Sequence, residues 1–448
     1  MKNWSKLFKI LFFSISVVYF LFWLFIIHLS NIQKTQGINP LLPVLREDSQ
    51  EYANLSDSII SGKSFVLDGK AETLRAPGYP SFVAIFKPFG GYFTVTFIQI
   101  ILVFLISILI RKIGILFFSK KVGEMSAIIF LLNPVTLYLS LVILTDMLFL
   151  FLFLSGFYLI ASLNKENIYK NNLIKIILIS LLFSIAIYVR PMGIFALPIF
   201  IAPFFISKLS LRDKLKSIVV VISIIFLAVL PWIIRNYRLT GVADFSSFKA
   251  INLAYYAVPM FLSHINHTSI AEERIILEKK IGVPQDEWKN LKYSKQVSGV
   301  AEKIILSHPF SYFIYHTESS IPFLFSSPIQ EVLNTYRSSM DIRVPFEPGA
   351  INYLMNKEWK LFFGSITKDW WKLIERIFMI FVYLIALYGF WKEKRNLYVW
   401  IFLFIPIYLM LLAGPAGNAR YAIQAFPFIL LLCSAGLWRI IDDIYEAY

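Results

Sequence analysis

Asp48 and Asp146 are carboxylates that a lipid-embedded chain has little physical reason to keep. The first lies in REDSQEY (46–52), where three acids and an arginine crowd together in a sequence that is 58% hydrophobic and 16% charged. The second, in LVILTDMLFLF, is the only charged side chain between Met125 and Asn164. An ionised group inside a span is costly and usually faces a cavity or a partner. The plainer reading of Asp146 is an acid at a helix N-terminus beside Thr145, favoured by the helix dipole. Four arginines stand out in the same way: Arg75 in LRAPGYP, Arg190 in YVRPMG, Arg235 in PWIIRNYRLTG and Arg420 in GNARYAIQ. One such arginine would simply snorkel to headgroups; four on one membrane face suggest an anion to be held. Carboxylates facing cations at a membrane suit the transfer of a sugar from a polyprenyl-phosphate. A phosphate leaving group needs no general acid, only cations for its developing charge. The accepting hydroxyl needs one carboxylate as base. Glycoside hydrolysis would instead require an acid and a second carboxylate across the bond.

The elements that position these residues are apolar helices. With 43 Phe, 23 Tyr and 10 Trp among 448 residues and apolar runs recurring throughout, the chain reads as an all-α polytopic membrane protein. Ten spans are expected, at 7–29, 92–110, 122–140, 143–162, 173–190, 193–207, 217–234, 372–391, 397–413 and 421–438. The first is too long for a signal-peptide core and reads as a retained anchor. Lys2, Lys6 and Lys9 put the N-terminus in the cytoplasm, and the short basic loops then fall on that side by alternation. This leaves residues 30–91 and 235–371 outside, and divides the chain into a seven-span module (1–234), a mainly helical outer domain (235–371) and a three-span module (372–448). GYPSFVAIFKPFGG (78–91) and FSYFIYHTESSIPFLFSS (310–327) read as interfacial helices, and residues 268–296 as a solvated helical stretch broken by Pro284.

Several classes are set aside. The formal charge of +15 comes from loop residues rather than from one basic face, so nucleic acid is not an expected partner. Cys433 alone builds no disulfide framework or cysteine metal site. His264 and His267 have helical spacing but no third ligand nearby. No nucleotide-binding glycine motif is present, so no nucleotide cofactor is expected.

Five elements then acquire meaning together: DSQEY, LRAPGYPSF, NPVTLYLSLVILTD, VRPMGIF and PWIIRNY, in that order over residues 1–240. As an ordered set they resemble the GT-C fold membrane glycosyltransferases of the protein O-mannosyltransferase and aminoarabinose-transferase-like superfamily. HPFSYF (308–313) and ARYAIQAFPFILLL (419–432) extend the likeness weakly. The resemblance implies that Asp48 is the first-loop catalytic carboxylate, that Tyr52 lines the same pocket, and that Asp146 is the second acidic position. It puts Arg75 where the aminoarabinose branch has a lysine near the donor phosphate, and it makes Glu47 with Asp48 a candidate divalent-metal pair. Tyr79 is a further candidate for the pocket wall. Arg75 and Arg235 are the arginines expected to meet the carrier phosphate, whereas Arg190 has the alternative of pairing with Asp146. The implied partners are a polyprenyl-phosphate sugar donor, membrane lipid, and a lipid, glycan or protein acceptor at the outer face of the cytoplasmic membrane. The sequence after Ser246 departs most from the family. The rival readings are a polysaccharide polymerase or ligase, which would place its key residues in a large late loop, and a lipid-linked oligosaccharide flippase, which would spread polar residues through both leaflets.

Overall fold

The computed structural model describes residues 4–36, 43, 48–163, 173–206, 210–339, 353, 358–368 and 370–447. These residues are almost entirely helical, and a single two-stranded ribbon pairs Val66–Leu67 with Lys70–Ala71. Five helices are long and apolar enough to cross a membrane: Lys6–Thr35, Gly91–Phe117, Leu211–Thr240, Trp370–Glu393 and Leu397–Ala416. Their outward faces carry exposed Leu, Ile, Phe and Trp side chains, which is the pattern of helices solvated by lipid. The chain is a multi-pass membrane protein.

Proline shapes the rest of the bundle. The run expected as one span at 122–140 is two helices, Lys120–Leu132 and Pro134–Ser140, bent by 63°. The residue before a proline is driven out of the helical region, so Asn133 is extended, and its side chain caps the second helix by accepting from the Val135 amide at 2.8 Å. Three further apolar runs form shorter helices, Asp146–Ser162, Ile174–Val189 and Pro191–Phe205. The last begins as a 3₁₀ turn over Pro191–Ala196. Close approach is tightest between Trp370–Glu393 and Phe426–Ala447, where a Cβ on Gly389 would meet the backbone of Leu432 and Gly436. Small residues let membrane helices pack in this way.

Described parts of the two segments expected outside pack against each other. Residues 246–304 carry their own core around Trp288, Leu277, Val297 and Ala301. Within it the helix Ile270–Ile281 opens with a capping box of Ser269 and Glu272 and ends at left-handed Gly282. The glycine therefore ends this helix two residues before Pro284, because it reaches a positive φ without a Cβ clash. This body is stitched to the first loop. The Ser247 amide donates to the Thr73 carbonyl at 3.1 Å, the Leu291 amide to the Thr73 hydroxyl at 3.1 Å, and the Ser246 hydroxyl to the Leu74 carbonyl at 2.6 Å. The ribbon is tied across as well, with Lys70 paired to Glu287. GYPSFVAIFKPFGG forms the helix Gly78–Phe86 followed by a 3₁₀ turn. Gly78 lies so near the Tyr188 backbone that a Cβ would collide with it. That close approach seats the first loop on the end of the helix that leads to Arg190.

Candidate active site

Asp48, Glu51 and Tyr52 open the helix Asp48–Ile60. Their spacing of three and four residues puts all three on one face. Arg75 meets that face from the loop beyond the ribbon, where the Glu72 carboxylate accepts from the Leu74 and Arg75 amides and so fixes the turn. Its Nη2 lies 2.5 Å from Asp48 Oδ1, its Nε donates to Glu51 Oε2 at 2.7 Å, and its guanidinium sits 5.1 Å from the centre of the Tyr52 ring. Lys289 from the outer body completes this side by pairing with Glu51 Oε1 at 2.8 Å.

Asp146 begins the helix Asp146–Leu163 and is fully buried. Two arginines reach it from different parts of the chain. Arg190 immediately precedes Pro191, so it leaves the helical region (φ −146°, ψ 110°) and swings off the end of Leu173–Val189. Its Nη1 donates to Asp146 Oδ1 at 2.8 Å. Arg420 lies in the single turn Ala419–Ala422, which Asn418 caps by accepting from the Tyr421 amide. Its Nε donates to Asp146 Oδ2 at 3.0 Å, while its Nη1 donates to Asp48 Oδ2 at 3.1 Å. Arg420 therefore joins the two carboxylates.

The result is one continuous network of alternating charge: Lys289, Glu51, Arg75, Asp48, Arg420, Asp146, Arg190. Tyr421 lies against its inner end, with its ring centre 5.1 Å from the Arg190 guanidinium. Gln424 adds a long 3.4 Å contact to Asp146 Oδ1. Beside Arg190 an apolar crevice runs between Phe149, Phe153, Met192, Leu409 and Leu412, with Arg190 and Gln424 as its polar members. Burial alone would raise the Asp48 carboxyl, but the Arg75 and Arg420 guanidinium groups outweigh it and hold that carboxyl well below the usual carboxylate range. Glu51 is lowered in the same way, by Arg75 and Lys289 acting against burial. The two guanidinium groups therefore favour the ionised form of Asp48 and reduce its strength as a base.

Of the residues singled out from sequence, the structure brings together Asp48, Tyr52, Arg75, Asp146, Arg190 and Arg420. Tyr79 adjoins them: its ring meets Tyr52 edge-on at 5.1 Å, and its hydroxyl donates to Gln99 at 2.6 Å. Gln99 in turn donates to the Val142 and Ser140 carbonyls, holding the turn that leads to Asp146. Arg235 does not join the network. Its donors go to the Glu72 carbonyl at 2.7 Å, the Phe65 carbonyl at 3.3 Å and the Asn236 side chain, and its guanidinium stacks on Trp232. It clamps the loop that carries Arg75. Glu47 lies outside the described residues. Among the described residues no three His, Cys, Asp or Glu side chains gather as a metal site, and each Asp48 oxygen accepts from a different arginine.

Sequence reasoning missed Glu51 as a partner of Arg75, and missed Lys289 and Gln424 altogether. It also missed Glu331, on the helix Pro328–Ser339, whose carboxyl is raised by burial while Arg420 pulls it down and Asp146 pushes it up. Lys289 and Glu331 sit in solvated stretches, where a charge attracts no notice, whereas Gln424 is a buried polar residue within the apolar run at 421–438. Only the DSQEY spacing, which sets Glu51 three residues after Asp48, carried a signal.

No family model and no curated protein matches the chain. Solved structures do. A superposition on the oligosaccharyltransferase AglB of Archaeoglobus fulgidus, in complex with an inhibitory peptide and a dolichol-phosphate, gives a TM-score of 0.51 at 14% identity, covering 99% of this chain and 52% of that one. The apo form of the Archaeoglobus fulgidus oligosaccharyltransferase gives 0.51 at 13% identity, covering 97% and 51%. The chain spans about half the length of these enzymes. A superposition on ArnT of Cupriavidus metallidurans bound to undecaprenyl phosphate gives a TM-score of 0.43 at 11% identity, covering 97% of this chain and 78% of that one. By its architecture the chain is a polytopic membrane protein with the GT-C glycosyltransferase fold.

Proposed function

We propose that this protein is an integral-membrane inverting glycosyltransferase that moves a sugar from a polyprenyl-phosphate donor to an acceptor hydroxyl at the outer face of the cytoplasmic membrane. One observation carries the reading: three buried or half-buried arginines and two carboxylates from five separated stretches of chain converge on a single network, with Arg420 bridging Asp48 and Asp146. A purely structural device would not need so many charges in a lipid-embedded core, where a well-packed apolar cluster of the same volume is often as stable. The archaeal enzyme of the same fold binds dolichol-phosphate, and a carrier of that chemistry suits this site. Arginine's planar donor fork matches phosphate oxygens, and apolar side chains, Phe149, Met192 and Leu412 among them, lie beside Arg190.

In this reading Asp48 accepts the proton of the acceptor hydroxyl. The acceptor oxygen forms its bond to the anomeric carbon from the face opposite the phosphate, and the bond between that carbon and the phosphate oxygen breaks with its electron pair on the phosphate. Arg75, Arg190 and Arg420 stabilise that growing charge. Asp146 acts through the arginines, holding Arg190 and Arg420 in place. Tyr52 packs against Arg75 and lines the pocket. The acceptor is a lipid, glycan or protein. The test is to incubate the purified protein with a panel of polyprenyl-phosphate sugars and follow both lipids by mass spectrometry. One donor is expected to be consumed with release of the carrier monophosphate and inverted sugar configuration in the product. Consumption of none, across donors and acceptors of all three classes, would contradict the proposal.

A further inference from the structure

We propose that Asp48 and the carrier phosphate compete for the same two guanidinium groups, so that Arg75 and Arg420 pass from the carboxylate to the phosphate as the sugar is transferred. The inference rests on the function proposed above and concerns how that site is regulated by its own charges. It starts from the occupancy of Asp48: Oδ1 accepts from Arg75 and Oδ2 from Arg420, so each oxygen is held by a different arginine. Neither arginine is idle, since Arg75 also binds Glu51 and Arg420 also binds Asp146. An arriving phosphate therefore meets cations that are already engaged.

The charges of the network fit such an exchange. Among the described residues its ion-paired groups are the cations Arg75, Arg190, Arg420 and Lys289 and the carboxylates Asp48, Glu51 and Asp146, one cation more than carboxylates, with the Glu331 carboxyl, raised by burial, standing near Arg420 and Asp146. A sugar phosphodiester carries one negative charge and matches that excess. Transfer changes both sides at once. The acceptor proton moves to Asp48, which becomes neutral and releases its hold on Arg75 and Arg420. The leaving phosphate becomes a monoester and gains nearly a full further negative charge at neutral pH. The two freed guanidinium groups are then available for the charge that has just appeared. When the proton leaves Asp48 for the outer solution, the carboxylate takes its arginines back and weakens the grip on the spent carrier. Asp48 thus serves as base in the forward step and as a competitor that expels the product, and it gains basicity when a phosphate draws the arginines away.

The exchange makes a prediction opposite in sign to that of a simple base. Binding of undecaprenyl phosphate is measured on the purified full-length protein in nanodiscs, at one pH and salt concentration, for wild type, Asp48→Asn, Glu51→Gln and Asp57→Asn. Asp48→Asn is expected to bind the monophosphate about tenfold more tightly than wild type, equivalent to about 1.4 kcal/mol. Glu51→Gln releases Arg75 alone and is expected to tighten binding by a smaller factor. Asp57→Asn is the control, because Asp57 pairs with Lys87 outside the network, and its affinity is expected to match wild type. Equal or weaker binding by Asp48→Asn, with wild-type binding intact, overturns the exchange and leaves the proposed function standing. Should Asp48→Asn not fold, Glu51→Gln decides in the same way. Failure of the wild type to bind the probe overturns the proposed function and the exchange together.

Discussion

Asp48→Asn is expected to lower sugar turnover by about 10² or more, the scale on which removal of a positioned general base acts. The substitution keeps the shape of the side chain and one hydrogen-bond acceptor, so the helix Asp48–Ile60 should remain seated. What it removes is the site for the acceptor proton and one negative charge between Arg75 and Arg420. Donor binding should persist, which separates the result from a general loss of folding. If Asp48 served only to start its helix, Asp48→Asn would leave turnover near normal, since asparagine also caps helices well. Steady-state rates set beside the melting temperature of the same preparation distinguish the two outcomes.

Arg420→Ala is expected to have the largest effect on stability. Among the described residues Arg420 is the one group ion-paired to both Asp48 and Asp146, and Asp146 has no exposed surface. Removing one partner from a buried ion pair typically costs about 3–5 kcal/mol, because the remaining charge is left without compensation. Arg190 still holds Asp146 Oδ1, so the lower part of that range is expected here. The double variant Arg420→Ala with Asp146→Asn should recover part of the loss, because the carboxylate that was stranded is gone. Thermal unfolding in detergent for wild type, both single variants and the double variant forms the cycle that measures this coupling. Strictly additive losses would mean that Arg420 and Asp146 do not depend on each other.

Much of this site was legible as isolated charges in apolar surroundings. Asp146 and Arg190 stand alone in long uncharged stretches, so the cost of burying them announces a partner, and the two prove to be partners of one another. Arg235 gave the same signal and has a different answer: at the end of Leu211–Thr240 its donors are taken up by loop carbonyls, a use that leaves no mark in a sequence. Arg420 and Asp48 are 372 positions apart, and nothing local in a single sequence links residues at that distance. Lys289 and Glu331 lie where charge is ordinary, so only the fold reveals which of many such residues face the network. The apolar runs located the helices well. Where they end was set by features finer than hydropathy, such as Asn133 before Pro134 and Gly282 before Pro284.

A structure of the protein with undecaprenyl phosphate shows directly where the carrier phosphate binds. The account predicts phosphate oxygens within about 3 Å of guanidinium nitrogens from at least two of Arg75, Arg190 and Arg420, with at least one arginine contact to Asp48 lost and the first isoprene unit against Phe149 or Leu412. A phosphate bound elsewhere, with the seven-residue charge network described above intact, would contradict it.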